Sequence, residues 1–195
     1  MAVPDAQVIL ASSSPRRREL LTQIGVQFEV LAVDVDESPI ANERPEKYVQ
    51  RIAALKSQRG MELADSELPV LGADTVVTID GALLGKPRGR DQAIESLNRL
   101  SGREHQVFSA VSIRGAQHLQ TLSKTTVCFR LLSDREIMAY WNTGEPADKA
   151  GAYGIQGLAG MFVKRIEGSF SGVVGLPLYE TSELLKEAGV DLSPL

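Results

Sequence analysis

The chain is poor in the residues that signal several common chemistries. Among 195 residues there are one cysteine, two histidines and one tryptophan. The single Cys128 excludes an internal disulfide and suits a reducing compartment. It falls in the strand-like run Thr125 to Leu131, so it reads as a small core residue rather than a nucleophile. His105 and His118 are too few for a Cys/His zinc constellation. No apolar run reaches the roughly 20 residues that span a bilayer. The opening residues lack the basic-then-apolar pattern of a secretion signal. The expectation is therefore a cytoplasmic protein with no membrane partner. An excess of positive charge is also missing: 21 Lys and Arg stand against 25 Asp and Glu, for a net charge of −4. That argues against general nucleic-acid binding, so any anionic ligand must meet a local basic cluster. What remains is ordinary for a soluble globular protein, with 43% hydrophobic and 24% charged residues. With no repeat, linker or low-complexity segment in view, one domain over 1–195 is expected.

The stretch around which the chain is organised runs from Val8 to Leu21. Val8 to Ala11 read as a short buried strand, three serines follow, and then Pro15. Proline suits the first turn of a helix, and Ser14 before it is a natural N-cap. Leu20, Leu21 and Ile24 supply an apolar stripe, and Gly25 is a stop signal. The oddity is Arg16-Arg17-Arg18 at the positive end of the helix dipole, where cations are unfavourable. Either these are solvated surface arginines, or an anion such as phosphate resolves the conflict.

Phe28 to Val33 reads as a second strand, followed by the acidic residues Asp34, Asp36 and Glu37. These form either a solvated loop or a carboxylate site for a hard cation. Pro45 to about Met61 reads as a helix whose stripe is Tyr48, Val49, Ile52, Ala53 and Leu55. Lys56 lies beside that stripe, where its ammonium either reaches to water or points into a cleft. Pro69 to Thr78 is a nearly continuous apolar run, as in a central strand covered on both faces. Asp74 sits in its middle, and a buried carboxylate there needs a partner, a metal or a function. Gly72 permits close approach to the backbone.

Asp80-Gly81 marks a hairpin turn leading to Leu83-Leu84 and then Gly85-Lys86-Pro87-Arg88. Arg90 to Leu100 reads as a helix, Gln106 to Ile113 and His118 to Leu131 as strands. Ser133-Asp134-Arg135-Glu136 is a capping box opening a helix to about Thr143. Glu145 to Gly160 is a long loop of small residues, able to wrap a ligand closely. Met161 to Ile166 reads as a strand, Gly168 to Gly175 as a turn-rich segment, and Pro177 to Ala188 as a closing helix.

Five stretches in this order resemble the Maf family of nucleoside triphosphate pyrophosphatases. They are Ala11-Ser12-x-Ser14-Pro15-Arg16-Arg17, Gly72-Ala73-Asp74-Thr75, Gly85-Lys86-Pro87, Leu100-Ser101-Gly102-x-x-His105-x-Val107 and Val174-Gly175-Leu176-Pro177. The late loop Gly151-Ala152-Tyr153-Gly154-Ile155-Gln156-Gly157 is similar to the branch acting on dTTP and UTP. A sibling branch acting on 7-methyl-GTP has Glu in place of the Gln. Ser109 departs from the commoner family Thr but keeps the hydroxyl.

The resemblance implies a fold: α/β, a long twisted mixed sheet flanked by helices, with two lobes around a central cleft, as in inosine triphosphatases. It implies a reaction in which water attacks a nucleoside triphosphate, releasing the monophosphate and pyrophosphate. It implies Asp74 as proton acceptor, with Glu37 and Asp74 holding a divalent metal, Mg²⁺ or Mn²⁺. Ser12, Arg16, Arg17, Lys56 and Lys86 would neutralise the triphosphate, and Arg16, Thr75 and Gln156 would set substrate choice. Gln offers a donor and an acceptor to a uracil or thymine edge, whereas an ionised Glu offers acceptors alone. Homodimers are frequent in the family. The rival functions are 7-methyl-GTP hydrolysis, release of single phosphates, and a nucleotide-binding regulator of septum formation with little turnover.

Overall fold

The computed structural model describes residues 6–192. The ends of the expected 1–195 domain, 1–5 and 193–195, lie outside the described residues, as do the first residues of the segment read as lacking a secretion pattern. Among the described residues no helix is long and apolar enough to cross a membrane.

The α/β expectation is met by a single mixed sheet. Its strands are β1 (Val8–Leu10), β2 (Phe28–Val30), β3 (Val70–Ile79), β4 (Ala82–Leu84), β5 (Glu104–Arg114), β6 (His118–Phe129) and β7 (Val163–Glu167). They lie in the order β2-β1-β3-β5-β6-β7, with β4 attached to β3. β1 runs parallel to β2 and β3, and the other pairings are antiparallel. The helices are α1 (Pro15–Gln23), α2 (Pro45–Leu63), α3 (Arg90–Leu100), α4 (Asp134–Asn142), α5 (Phe170–Val174) and α6 (Leu178–Glu187).

The apolar run read as a central strand is β3, and its pairing explains where a site can form. One edge of β3 pairs with β5 without interruption from Val70 to Thr78. On the other edge, β1 reaches Leu71 and β4 begins at Val77. Residues 72–76 therefore have a strand partner on one side alone. The gap falls just where β1 delivers the chain into α1, at the kind of strand divergence where α/β sheets hold ligands.

Alternation along β3 sorts its side chains between two cores. Leu71, Ala73, Val77 and Ile79 join the larger core with α1, α3, α4 and α6. Val76 faces α2, in a smaller core with Tyr48, Val49, Ile52, Ala53, Phe108 and Ala110. Asp74 shares the parity of Val76 and is presented towards α2, where Lys56 meets it.

The close approach expected at Gly72 is real. A Cβ there would lie 2.4 Å from the Ser57 backbone nitrogen and 2.5 Å from the Ala53 carbonyl oxygen. Glycine thus lets α2 settle directly on β3. The Ser133–Glu136 capping box is also present in full at the start of α4. Three local expectations are corrected. Ser14 occupies the N-cap position of α1 but makes no side-chain cap; the Ser12 hydroxyl accepts from the Ser14 N–H instead. Gly168 to Gly175 contains the five-residue helix α5 rather than turns alone. Cys128 is half-buried on β6, because the burial of that strand alternates along its length.

Replacing Gly72 with alanine should destabilise the fold by about 2 kcal/mol or more, since backbone rather than flexible side chain opposes the new methyl. Urea unfolding measures this. An unchanged midpoint would contradict direct α2–β3 packing.

Candidate active site

At the unpaired edge of β3 lies a cleft of 810 Å³. One wall comes from the start of α1, from Glu37 and from Lys56 on α2. The other comes from the segment after β4 and from residues 145–157. Six cationic side chains line it against four carboxylates, so it is locally positive in a chain of net charge −4. That is the local basic cluster an anionic ligand requires.

Lys56 forms the centre. Its Nζ lies 2.9 Å from Asp74 Oδ1 and 2.6 Å from Glu37 Oε1. Lys56 and Asp74 are 9% and 8% exposed. The ammonium therefore points into the cleft rather than to bulk water, and it offsets the cost of burying the Asp74 charge. Burial pushes the Glu37 carboxyl up, but the Lys56 ammonium outweighs it, with help from Lys86 and Arg17, and holds it below the usual range. Glu37 is itself on a loop tied to α2. Tyr48 donates to the Glu37 carbonyl at 2.8 Å, and Arg51 donates to the Ser38 carbonyl at 3.1 Å.

Two carboxylates converging on one cation also suit a hard divalent ion. Mg²⁺ is commonly held by one or two carboxylates plus substrate phosphate oxygens, rather than by a complete protein cage. Among the described residues no group of three or more His, Cys, Asp or Glu forms such a cage. Glu37 and Asp74 fit the incomplete kind.

The three arginines separate in space. Arg18 is exposed and lies off the cleft wall. Arg16 lines the cleft and pairs with Asp148 at 3.0 Å, so a carboxylate from the opposite wall supplies the missing anion. Arg17 is buried; its Nε donates to the Gly175 carbonyl at 2.9 Å and its Nη1 to Ser12 Oγ at 3.2 Å. Burial lowers the Arg17 pKa, opposed by the Asp74 charge. Ser12 lies behind Arg17, and Ser14 rather than Ser12 is on the wall. Lys86 and Gln156 are exposed at the rim.

Thr75 has the opposite parity to Asp74 and reaches the cleft from the other face of the sheet. Its Oγ1 lies 2.9 Å from Ser109 Oγ and 3.4 Å from the Gly175 carbonyl. Ser109 donates its own proton to the Gly172 carbonyl at 2.6 Å. The Thr75 proton is thereby drawn to Ser109 or Gly175, leaving oxygen lone pairs for a ligand. The hydroxyl at position 109 is thus in use.

The Maf-like protein family model matches residues 7–188. The chain belongs to that family. Named relatives agree. The dTTP/UTP pyrophosphatase of Methylococcus capsulatus is 55% identical, over 100% of this chain and 97% of its own. That of Pseudoalteromonas translucida is 54% identical over 92% and 95%, and that of Vibrio cholerae 52% over 92% and 97%. Among solved structures, the Staphylococcus aureus Ham1 protein is 20% identical, with a TM-score of 0.44 over 65% of this chain and 72% of that one.

Four of the five signatures put residues on this cleft, through Ser14, Arg16 and Arg17, Asp74 and Thr75, Gly85 and Lys86, and Val174 and Gly175; Ser12 sits one layer behind it, and Leu100 to Val107 contribute no lining residue. Sequence reasoning did not single out Glu145, Asp148, Lys149 or Tyr153, which also line it. Their signal was the charged start of the late loop, Glu145-Pro146-Ala147-Asp148-Lys149, at the head of the glycines. In the structure this loop is not continuous coil. It holds three short 3₁₀ turns, Glu145–Asp148, Ala150–Ala152 and Leu158–Phe162.

His105, from the fourth Maf-like signature, supports the cleft from beneath. Its Nε2 lies 2.8 Å from the Tyr153 hydroxyl, its ring meets Phe129 edge-on, and its buried Nδ1 has no partner among the described residues. Burial pushes its pKa down from 6.5 to about 4. The unfolded chain binds a proton near pH 6.5 that the native state refuses until about pH 4. Native stability is therefore full above that window and falls as pH drops through it, by on the order of 3 kcal/mol. Urea unfolding from pH 7 to pH 4 should show a shallower acid loss in His105→Gln than in the parent. Equal slopes would contradict this reading of His105.

Proposed function

We propose that this chain hydrolyses dTTP and UTP to the nucleoside monophosphate and pyrophosphate. The observation that carries the reading is Asp74, a carboxylate buried at the unpaired edge of β3 and opening into a cationic cleft. The names of the relatives support the same reaction and the same bases.

The chemistry follows from the groups present. The triphosphate lies along Arg16, Arg17 and Lys86, which disperse its charge. Water attacks the α-phosphorus, its proton passes to Asp74, and the bond to the β-phosphate oxygen breaks with its electron pair leaving on pyrophosphate. Lys56 keeps Asp74 aimed into the cleft from 2.9 Å. Glu37 and Asp74 would hold Mg²⁺ or Mn²⁺, which supplies charge neutralisation at phosphate oxygens. Substrate binding displaces Asp148 from Arg16 as phosphate takes its place.

Base choice falls to Gln156 at the rim and to Thr75 on β3. Gln156 offers a donor and an acceptor, matching a carbonyl and the N3–H of uracil or thymine. Thr75, with its proton directed to Ser109 or Gly175, offers an acceptor. This pattern favours pyrimidine over the guanine edge, whose adjacent N–H donors suit a carboxylate.

The Asp74→Asn variant tests the proposal with dTTP and UTP and separate assays for pyrophosphate and phosphate. The expected result is a loss of pyrophosphate release of about a hundredfold or more, with nucleotide binding and folding kept. Turnover near the parent rate would remove Asp74 as base. Release of single phosphates by the parent, or a preference for 7-methyl-GTP, would overturn the reaction or the substrate.

A further inference from the structure

Gln156 is exposed, and among the described residues its side chain makes no hydrogen bond. Its reach into the cleft is therefore set by the backbone on either side of it. Both sides are tied to one carboxylate. Glu145 Oε2 accepts from the Leu158 N–H at 2.9 Å, and Oε1 accepts from the Ala159 N–H at 3.4 Å. Oε1 also accepts from the Tyr140 hydroxyl at 2.7 Å, and that hydroxyl accepts from the Gly154 N–H at 3.1 Å. The tethers at 154 and at 158–159 bracket Gln156. Between them Gly157 lies so close that a Cβ would be 2.4 Å from Glu145 Oε2. No side chain fits at 157 without expelling the carboxylate.

The group is suited to the task. Burial pushes the Glu145 carboxyl up, but the Leu158 N–H and the Tyr140 hydroxyl outweigh it and hold it below the ordinary range. An ionised carboxylate accepts at both oxygens, so it can take all three donors at once. Lys149 fastens the other end of the residue, donating to the Glu145 carbonyl at 2.7 Å.

We infer that Glu145 is a positioning residue for base selection: its carboxylate clamps residues 154–159 so that Gln156 meets the pyrimidine edge. This rests on Gln156 as the base-contacting residue. Glutamine at 145 would present an amide donor to a backbone or hydroxyl donor, loosening one side of the clamp.

The test is a double-mutant cycle read as the ratio of kcat/KM for UTP to that for GTP. Gln156→Ala alone should lower the ratio by about tenfold. Glu145→Gln should lower it by a similar factor, chiefly through a raised KM for UTP. The double variant should fall no further than Gln156→Ala. Tyr140→Phe, which keeps the buried ring but frees the Gly154 N–H, should lower the ratio in the same direction by a smaller factor. That gives a readout should Glu145→Gln fail to fold. Multiplied losses in the double variant, or equal losses for UTP and GTP in Glu145→Gln, would overturn the positioning role while leaving Gln156 as a base contact. An unchanged ratio in Gln156→Ala would overturn the base contact itself, and the inference with it.

Discussion

One ammonium group holds the site together. Lys56 lies between Asp74 and Glu37, at 2.9 and 2.6 Å, and joins the central strand, helix α2 and the loop after β2 in a single electrostatic contact. A carboxylate in the middle of a buried strand is a liability on its own. Leaving such a charge without its partner typically costs about 3–5 kcal/mol. The fold accepts it because α2 approaches β3 closely enough at Gly72, against Ala53 and Ser57, to deliver Lys56 from the same turn of the helix.

The position of that contact follows from strand pairing. β3 is fully paired with β5 but abandoned on its other edge between β1 and β4. Backbone there is open to a ligand, and the pleat sends Asp74 and Thr75 to opposite faces of the same opening. The two faces then divide the labour. The α2 face carries the carboxylates and Lys56, and the α5 face carries the hydroxyl pair Thr75 and Ser109, anchored to the Gly172 carbonyl. The late loop closes the far wall and brings Asp148 across to Arg16.

Much of this was legible in the sequence, for identifiable reasons. Asp74 stood out because one charge interrupts an apolar run, and Arg16 to Arg18 because they oppose the helix dipole. α3 spans the Arg90 to Leu100 stretch read from its spacing, and the Ser133 cap is local enough to be read directly. What was not legible is what depends on distant partners. The open edge of β3 needs the non-sequential order β1-β3-β5, which no local pattern encodes. Arg17 reads as a phosphate ligand but is partly spent on the Gly175 carbonyl, 158 residues away. Glu145 carries no local signal of its own within the late loop, because its backbone partners lie 13 and 14 residues further on.

Lys56 makes Asp74 a usable base by holding its carboxylate at the open edge of β3. The most direct measurement is pyrophosphate release from dTTP by Lys56→Gln, in protein shown to be folded by circular dichroism. The expected result is a loss of about two orders of magnitude, because the side chain that aims the carboxylate and balances its charge is gone. A folded Lys56→Gln protein that turns dTTP over at the parent rate would contradict it.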